Sequence, residues 1–154
     1  MQIRLEEYKN GYVHFIGCGG VGTQPLMKIF HELGFRCSGS DMARSAATDA
    51  LAGMGLKVHI GHNAANLPPD DGSKLLVIYT SAAANYNPEL VEAKRRGAIC
   101  IRRGEALGLL TQCFKRVIAV SGSHGKTTVT GMITHTLKEL GLSENRPIIG
   151  SVMN

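Results

Sequence analysis

From Val117 to Leu140 the chain reads VIAVSGSHGKTTVTGMITHTLKEL, an apolar run that breaks into glycines and restarts with helical periodicity. In such a loop the backbone amides and the first helical turn converge on an anion, and glycine lets the anion approach the main chain. Gly122 and Gly125 supply that freedom, with Ser123 and His124 between them. Lys126 then offers a mobile charge to the outer phosphates, Thr127 a hydroxyl for Mg2+, and Thr128 a hydroxyl for a further phosphate oxygen. The chemistry is nucleoside triphosphate binding with a metal. The strict pattern G-x-x-x-x-G-K-[ST] asks for glycine where Val120 stands, so the loop is a variant of it.

A second glycine-rich loop lies near the start. The apolar run Tyr12 to Ile16 leads into Gly17-Cys18-Gly19-Gly20-Val21-Gly22 and then a helical pattern, which is G-x-G-x-x-G in its required setting. On that pattern Gly17 makes the tight turn, Gly19 admits a diphosphate to the backbone, and Gly22 brings helix and strand together. Ser40 and Asp41 end the next apolar run, where an acidic residue binds a ribose hydroxyl; Asp41 is equally placed to cap the helix that follows. NAD and a nucleotide sugar both carry a diphosphate and a ribose, and these residues alone fit either.

The elements that must carry the two loops follow from the alternation of patterns. Apolar runs at 12–16, 36–39, 57–60, 75–80, 98–101 and 117–120 read as strands, and 22–33, 43–54, 88–96, 104–111 and 126–140 read as helices. Strand-helix alternation predicts an α/β fold, a Rossmann-like doubly wound parallel sheet. Asn87 and Pro88 start the third helix, and Gly34, Gly55, Gly97 and Gly141 sit where left-handed C-caps belong. The expected division is a nucleotide-binding domain over 1–103, a linker over 104–116, and over 117–154 the first strand, phosphate loop and helix of an incomplete ATP-binding domain. So few elements cannot bury their own apolar faces, so this second unit reads as unfinished.

Composition narrows the function. The chain has 154 residues, 44% hydrophobic and 19% charged, which suits a folded α/β protein. It has no apolar run of membrane-span length and no signal-peptide core, so a cytoplasmic location and no membrane partner are expected. The four cysteines show no C-x-x-C pair and read as buried reduced thiols, and the six histidines show no metal-ligand spacing, so a metal is expected only with the nucleotide. A net charge of +5 gathers at Lys94-Arg95-Arg96, Arg102-Arg103 and Lys115-Arg116, read as solvated helix ends or as attraction for a small polyanion. With 5% aromatics and no Trp, nucleic acid is not the expected partner.

The two loops, their order and their wording resemble the Mur ligases, ATP-dependent amino-acid ligases of peptidoglycan synthesis. The resemblance rests on HFIGCGGVG (His14 to Gly22), SGSD (Ser38 to Asp41), GHNAANL (Gly61 to Leu67), YTSAAANYNPEL (Tyr79 to Leu90) and VSGSHGKTTVTGMI (Val120 to Ile133). It implies UDP-N-acetylmuramate as substrate, with its diphosphate over Gly19, Gly20, Val21 and Gly22 and its uridine near Ser40, Asp41 and His62. Ser81 and Asn85 match further substrate positions. It also implies ATP and Mg2+ at Gly122 to Thr128, phosphorylation of the sugar carboxylate to an acyl phosphate by way of Lys126 and Thr127, and attack by the amine of L-alanine or of a preformed tripeptide. The family's enzymes are longer, so a chain of this extent is expected to bind the UDP-sugar and to lack ligase activity alone. Gln24 and Pro25 depart from the usual wording after the first loop.

Overall fold

A computed structural model describes residues 3–81, 83 and 86–142. The chain divides into a unit Met1–Cys113 and a second unit beginning at Phe114. In the first unit, strands β1 (Tyr12–Ile16), β2 (Cys37–Asp41), β3 (Lys57–Ile60), β4 (Leu75–Tyr79) and β5 (Ile99–Arg102) form one sheet in the order β3-β2-β1-β4-β5. Every pairing is parallel. Helices α1 (Thr23–Glu32), α2 (Ala46–Gly53), α3 (Pro88–Arg95) and α4 (Arg103–Thr111) make the crossovers and the exit from β5.

Burial on both faces explains why β1 and β4 are nearly continuous apolar runs rather than alternating ones. On one face Phe15 meets Phe30 of α1 edge-on at a centroid distance of 5.7 Å, and Phe30 meets Phe35 at 5.1 Å. On the other, Ile16 and Val77 pack with Leu67 and with Leu90 and Ala93 of α3. Gly34, Gly55 and Gly97 close α1, α2 and α3 at φ between 72° and 87°, the left-handed conformation their positions predicted. The Asn87 side chain accepts from the amides of Glu89 and Leu90, and Pro88 opens α3 as expected.

Three expectations change. The cap of α2 is Ser45, not Asp41: Ser45 and Thr48 form a reciprocal capping box, and the helix starts at Ala46 because Asp41 is engaged elsewhere. Residues 104–111 form the helix read there, α4, and its Ala106 and Leu110 are buried in the first unit, which runs to Cys113 rather than ending at Arg103. Residues 117–120 form no strand: Val117 and Ile118 are exposed, and no described segment offers their backbone a ladder.

In the second unit, helix α5 (Lys126–Glu139) follows the second glycine-rich loop, buries none of its residues and leaves Val129 and Met132 exposed. The strand expected after Ser143 lies outside the described residues, as does Asn85. Among the described residues no helix is long and apolar enough to cross a membrane.

Candidate nucleotide-binding site

A parallel sheet sends all its strands' carboxyl ends to one edge. The order β3-β2-β1-β4-β5 reverses direction between β1 and β4, which opens a crevice there. The loop Gly17–Gly22 after β1, Asp41 at the end of β2, His62 after β3, Ser81 after β4 and Arg103 after β5 all belong to this edge.

The first loop is held from below. The amides of Gly17 and Cys18 both donate to the Ser40 carbonyl, at 2.8 and 2.9 Å, and the Gly19 amide donates to Asp41 Oδ2 at 2.8 Å. Gly20 donates to the Gly17 carbonyl, and Thr23 and Gln24 both donate to the Gly20 carbonyl. Pro25 has no amide to place, which is harmless in a first helical turn. Among the described contacts, the loop amides left without a partner are those of Val21 and Gly22, and Val21 is 83% exposed. These two amides open a helix without a side-chain cap, the usual seat of an anion.

Gly17 does the job its spacing suggested, and the others have packing partners that the spacing did not show. Gly17 adopts φ 79°, as the tight turn requires. A Cβ on Gly19 would lie 3.0 Å from Asp41 Oδ2 and 3.0 Å from Thr48 Cγ2, so this residue is glycine to pack on the β2–α2 connection. A Cβ on Gly22 would meet the Arg103 guanidinium at 2.8 Å, so Gly22 makes room for a cation rather than for a strand. Close helix and strand contact falls instead to Gly39, where a Cβ would sit 2.8 Å from that of Cys18 and 3.0 Å from the Phe15 carbonyl.

Beneath the crevice lies a polar cluster that the sequence reading missed. Glu89, in the first turn of α3, is fully buried. Its Oε2 accepts from His14 Nε2 at 2.8 Å and from the Ser40 hydroxyl at 2.7 Å. Its Oε1 accepts from His62 Nδ1 at 3.1 Å, the Asn63 amide at 3.2 Å and Asn66 Nδ2 at 3.0 Å. Burial pushes this carboxyl up, but the hydrogen bonds from His14 and Ser40, the charge of His14 and the bond from Asn66 outweigh it and hold it at about 2. The signal for it was present: His14 in an otherwise apolar strand, beside the small polar strand CSGSD, needed an internal partner.

Ser40, expected at the ligand, is fully buried and gives its hydroxyl to Glu89, so it supports the loop from inside. His62 has its ring half turned to the same carboxylate, with 15% of the side chain exposed. Asp41 is partly exposed, and Gly20, Val21 and Ser81 are exposed at the edge. Of the basic clusters, Arg95 and Arg96 pair with Glu92, and Arg96 also donates to the Pro68 carbonyl, which makes them the helix end they resembled. The cysteines are free, but Cys113 is exposed, against expectation, because it lies past the end of α4; Cys18 is the buried one.

In the second loop Gly125 holds φ 77° and caps α5 with no side chain on the helix amides. Lys126 Nζ folds back onto the carbonyls of Gly122 and Ser123, and Ser123, His124, Thr127 and Thr128 are exposed. An uncapped helix start, a glycine with an open Cβ direction and a loop-bound ammonium fit a polyphosphate.

Comparison with known proteins agrees with this layout. Residues 12–115 match the Mur ligase family, catalytic domain. UDP-N-acetylmuramate–L-alanine ligase of Bartonella tribocorum is 40% identical over 94% of this chain, and that of Aquifex aeolicus 47% identical over 89%. The chain spans 29% of the length of each. Among solved structures, UDP-N-acetylmuramate-alanine ligase from Thermotoga maritima superposes with a TM-score of 0.76 at 32% identity, covering 84% of this chain and 30% of that one. The UDP-N-acetylmuramate:L-alanyl-gamma-D-glutamyl-meso-diaminopimelate ligase from Neisseria meningitides gives 0.74 at 26%, over 93% of this chain and 47% of that one. On the family match over most of its length, together with the parallel sheet and its glycine loop, this chain belongs to the Mur ligase family.

Proposed function

We propose that this chain is the UDP-sugar-binding end of a cytoplasmic, ATP-dependent ligase that joins L-alanine to UDP-N-acetylmuramate. The observation that carries the reading is the pair of unpartnered amides at Val21 and Gly22, with the Arg103 guanidinium set against Gly22. The diphosphate sits on those amides, Arg103 balances its charge, and the ribose hydroxyls reach the remaining lone pairs of Asp41. Gly17, Gly19 and Gly20 shape the loop, His62 faces the base, and Ser81 and Asn85 belong to the sugar side.

The second loop is the place for ATP. Gly122, Ser123, His124, Gly125, Lys126 and Thr128 would hold its phosphates, and the Thr127 hydroxyl would ligate Mg2+. ATP with Mg2+ supplies the phosphoryl group that activates a carboxylate. Lys126 must leave the carbonyls of Gly122 and Ser123 to reach it, a change the flexible ammonium stem permits.

The alanine reading is favoured over the tripeptide reading by identity: among solved structures 32% to the alanine ligase of Thermotoga maritima against 26% to the tripeptide ligase of Neisseria meningitides. Calorimetric titration with UDP-N-acetylmuramate tests the site. Binding is expected, and Gly19→Val should weaken it at least about tenfold by driving a side chain into Asp41 and Thr48. No binding of any uridine nucleotide by the unmodified chain, or tighter binding of NAD, would overturn the reading.

A further inference from the structure

We propose that Glu89 is the positioning residue of the first glycine-rich loop: one buried carboxylate on α3 fixes the end of β2, and the end of β2 seats the loop amides. The inference rests on the reading of that loop as a diphosphate seat and adds what sets its shape.

The loop has two footholds, and both are on β2. The Ser40 carbonyl accepts from the amides of Gly17 and Cys18, and Asp41 Oδ2 accepts from the amide of Gly19. The place where β2 ends therefore decides where the amides of Val21 and Gly22 are presented.

By its own composition β2 is a poor anchor. Side chains alternate along a strand, so Ser38 and Ser40 share a face with their partners His14 and Ile16, while Cys37, Gly39 and Asp41 take the other. On that first face β1 and β4 are held by Ile16 and Val77 packing on Leu67, Leu90 and Ala93. There β2 brings only two buried hydroxyls, which hold their strand through partners rather than through packing. Ser38 is bonded to His14 Nδ1 at 2.8 Å, and Ser40 donates to Glu89 Oε2 at 2.7 Å. His14 meets the same Oε2 through Nε2 at 2.8 Å, so both hydroxyls lead to one carboxylate.

Asp41 is reached by a second route. Its carbonyl accepts from the Gly61 amide, and the segment that follows is tied to Glu89 Oε1 by His62 Nδ1, the Asn63 amide and Asn66 Nδ2. Asn66 Nδ2 also donates to the Gly61 carbonyl at 2.9 Å. The carboxylate thus holds β2 through Ser40 and again through Gly61. It is itself fixed, because the Glu89 amide donates to the Asn87 side chain at the capped start of α3. Burial pushes the carboxyl up, but its hydrogen bonds hold it at about 2, so every donor meets an ionised acceptor at neutral pH.

The test uses the 154-residue chain with UDP as the probe. Ser40→Ala cuts the link to β2 and leaves Glu89 its other donors, whereas Glu89→Ala removes the hub. In each variant, checked for folding by its amide spectrum, the Gly17, Cys18 and Gly19 signals should move, and calorimetry should show UDP bound at least about tenfold more weakly. The double variant should lose no more than about threefold beyond the weaker-binding single one, because both changes act through one link. A merely structural role would lower stability while leaving the loop signals and the affinity of the folded chain in place. Should Glu89→Ala not fold, Ser40→Ala decides alone. Unmoved loop signals in a folded variant, a smaller loss of affinity, or a double variant weaker than that limit would each overturn the proposal. UDP binding by the unmodified chain that the variants leave intact defeats this inference and leaves the function reading standing; no binding of UDP by the unmodified chain defeats both.

Discussion

The amide of Gly19 donates to Asp41 Oδ2 across 2.8 Å and so ties the first glycine loop to the end of β2. The acidic residue expected to meet the ligand also holds the loop proposed to bind its diphosphate. Asp41→Ala should therefore cost more than a ribose contact: at least about a tenfold loss of affinity for UDP by calorimetry, from a freed loop and a missing acceptor. Asp41→Asn keeps an acceptor oxygen for the Gly19 amide and should recover part of that loss.

The cluster around Glu89 makes the first unit acid-sensitive. The folded carboxyl titrates at about 2 against an ordinary 4.5, so the unfolded chain binds the proton more readily. The stabilisation is complete above the ordinary value and is lost as pH falls through that window toward 2. Its size is of the order of 3 kcal/mol. Urea unfolding at a series of pH values should show this slope, and Glu89→Gln should flatten it while lowering stability at neutral pH.

Arg103 lies against Gly22 at the mouth of the loop. As an exposed charge it acts on an anion through a screened field. Arg103→Ala should weaken UDP by roughly tenfold at low ionic strength and by much less at high salt, with uridine itself unaffected. Equal losses for UDP and uridine would show that the side chain acts through packing.

Gly39 occupies a central strand where a Cβ would lie 2.8 Å from that of Cys18 and 3.0 Å from the Phe15 carbonyl. Backbone on one side cannot give way, so Gly39→Ala should destabilise by about 1–3 kcal/mol. Thermal melting should register this as a fall of several degrees with no change in the far-ultraviolet spectrum of the folded chain.

The thiols should react in the order of their burial. Burial, helped by Asp41, pushes the Cys18 thiol up to about 12, and burial alone does the same for Cys37. Labelling of the native chain should therefore mark the exposed Cys113 first and Cys18 last, with all four equalised in denaturant.

Much of this was legible in the chain because it is written in local terms. Runs of apolar residues set β1 and β4, and glycines after α1, α2 and α3 could be read as left-handed caps. Pro88 after Asn87 announced a helix start. Each depends on the conformational preferences of a few neighbouring residues, and the structure places them as read. The glycine loop after β1 was legible for the same reason.

What the sequence could not supply was who partners whom across the sheet. Asp41 could cap a helix or hold a loop, and only the placement of Gly19 beside it decided for the loop. Residues 117–120 have the composition of a strand, but a strand is completed by neighbours that satisfy its backbone, and none among the described residues does so. Glu89 looked like an ordinary acidic residue at a helix start. Its burial depends on His14, Ser40 and His62 arriving from three different strand segments, a convergence fixed by the parallel register and by α3 packing over that face. Local preference determined the elements and the two glycine-rich loops; long-range packing decided which polar groups each loop leaves without a partner.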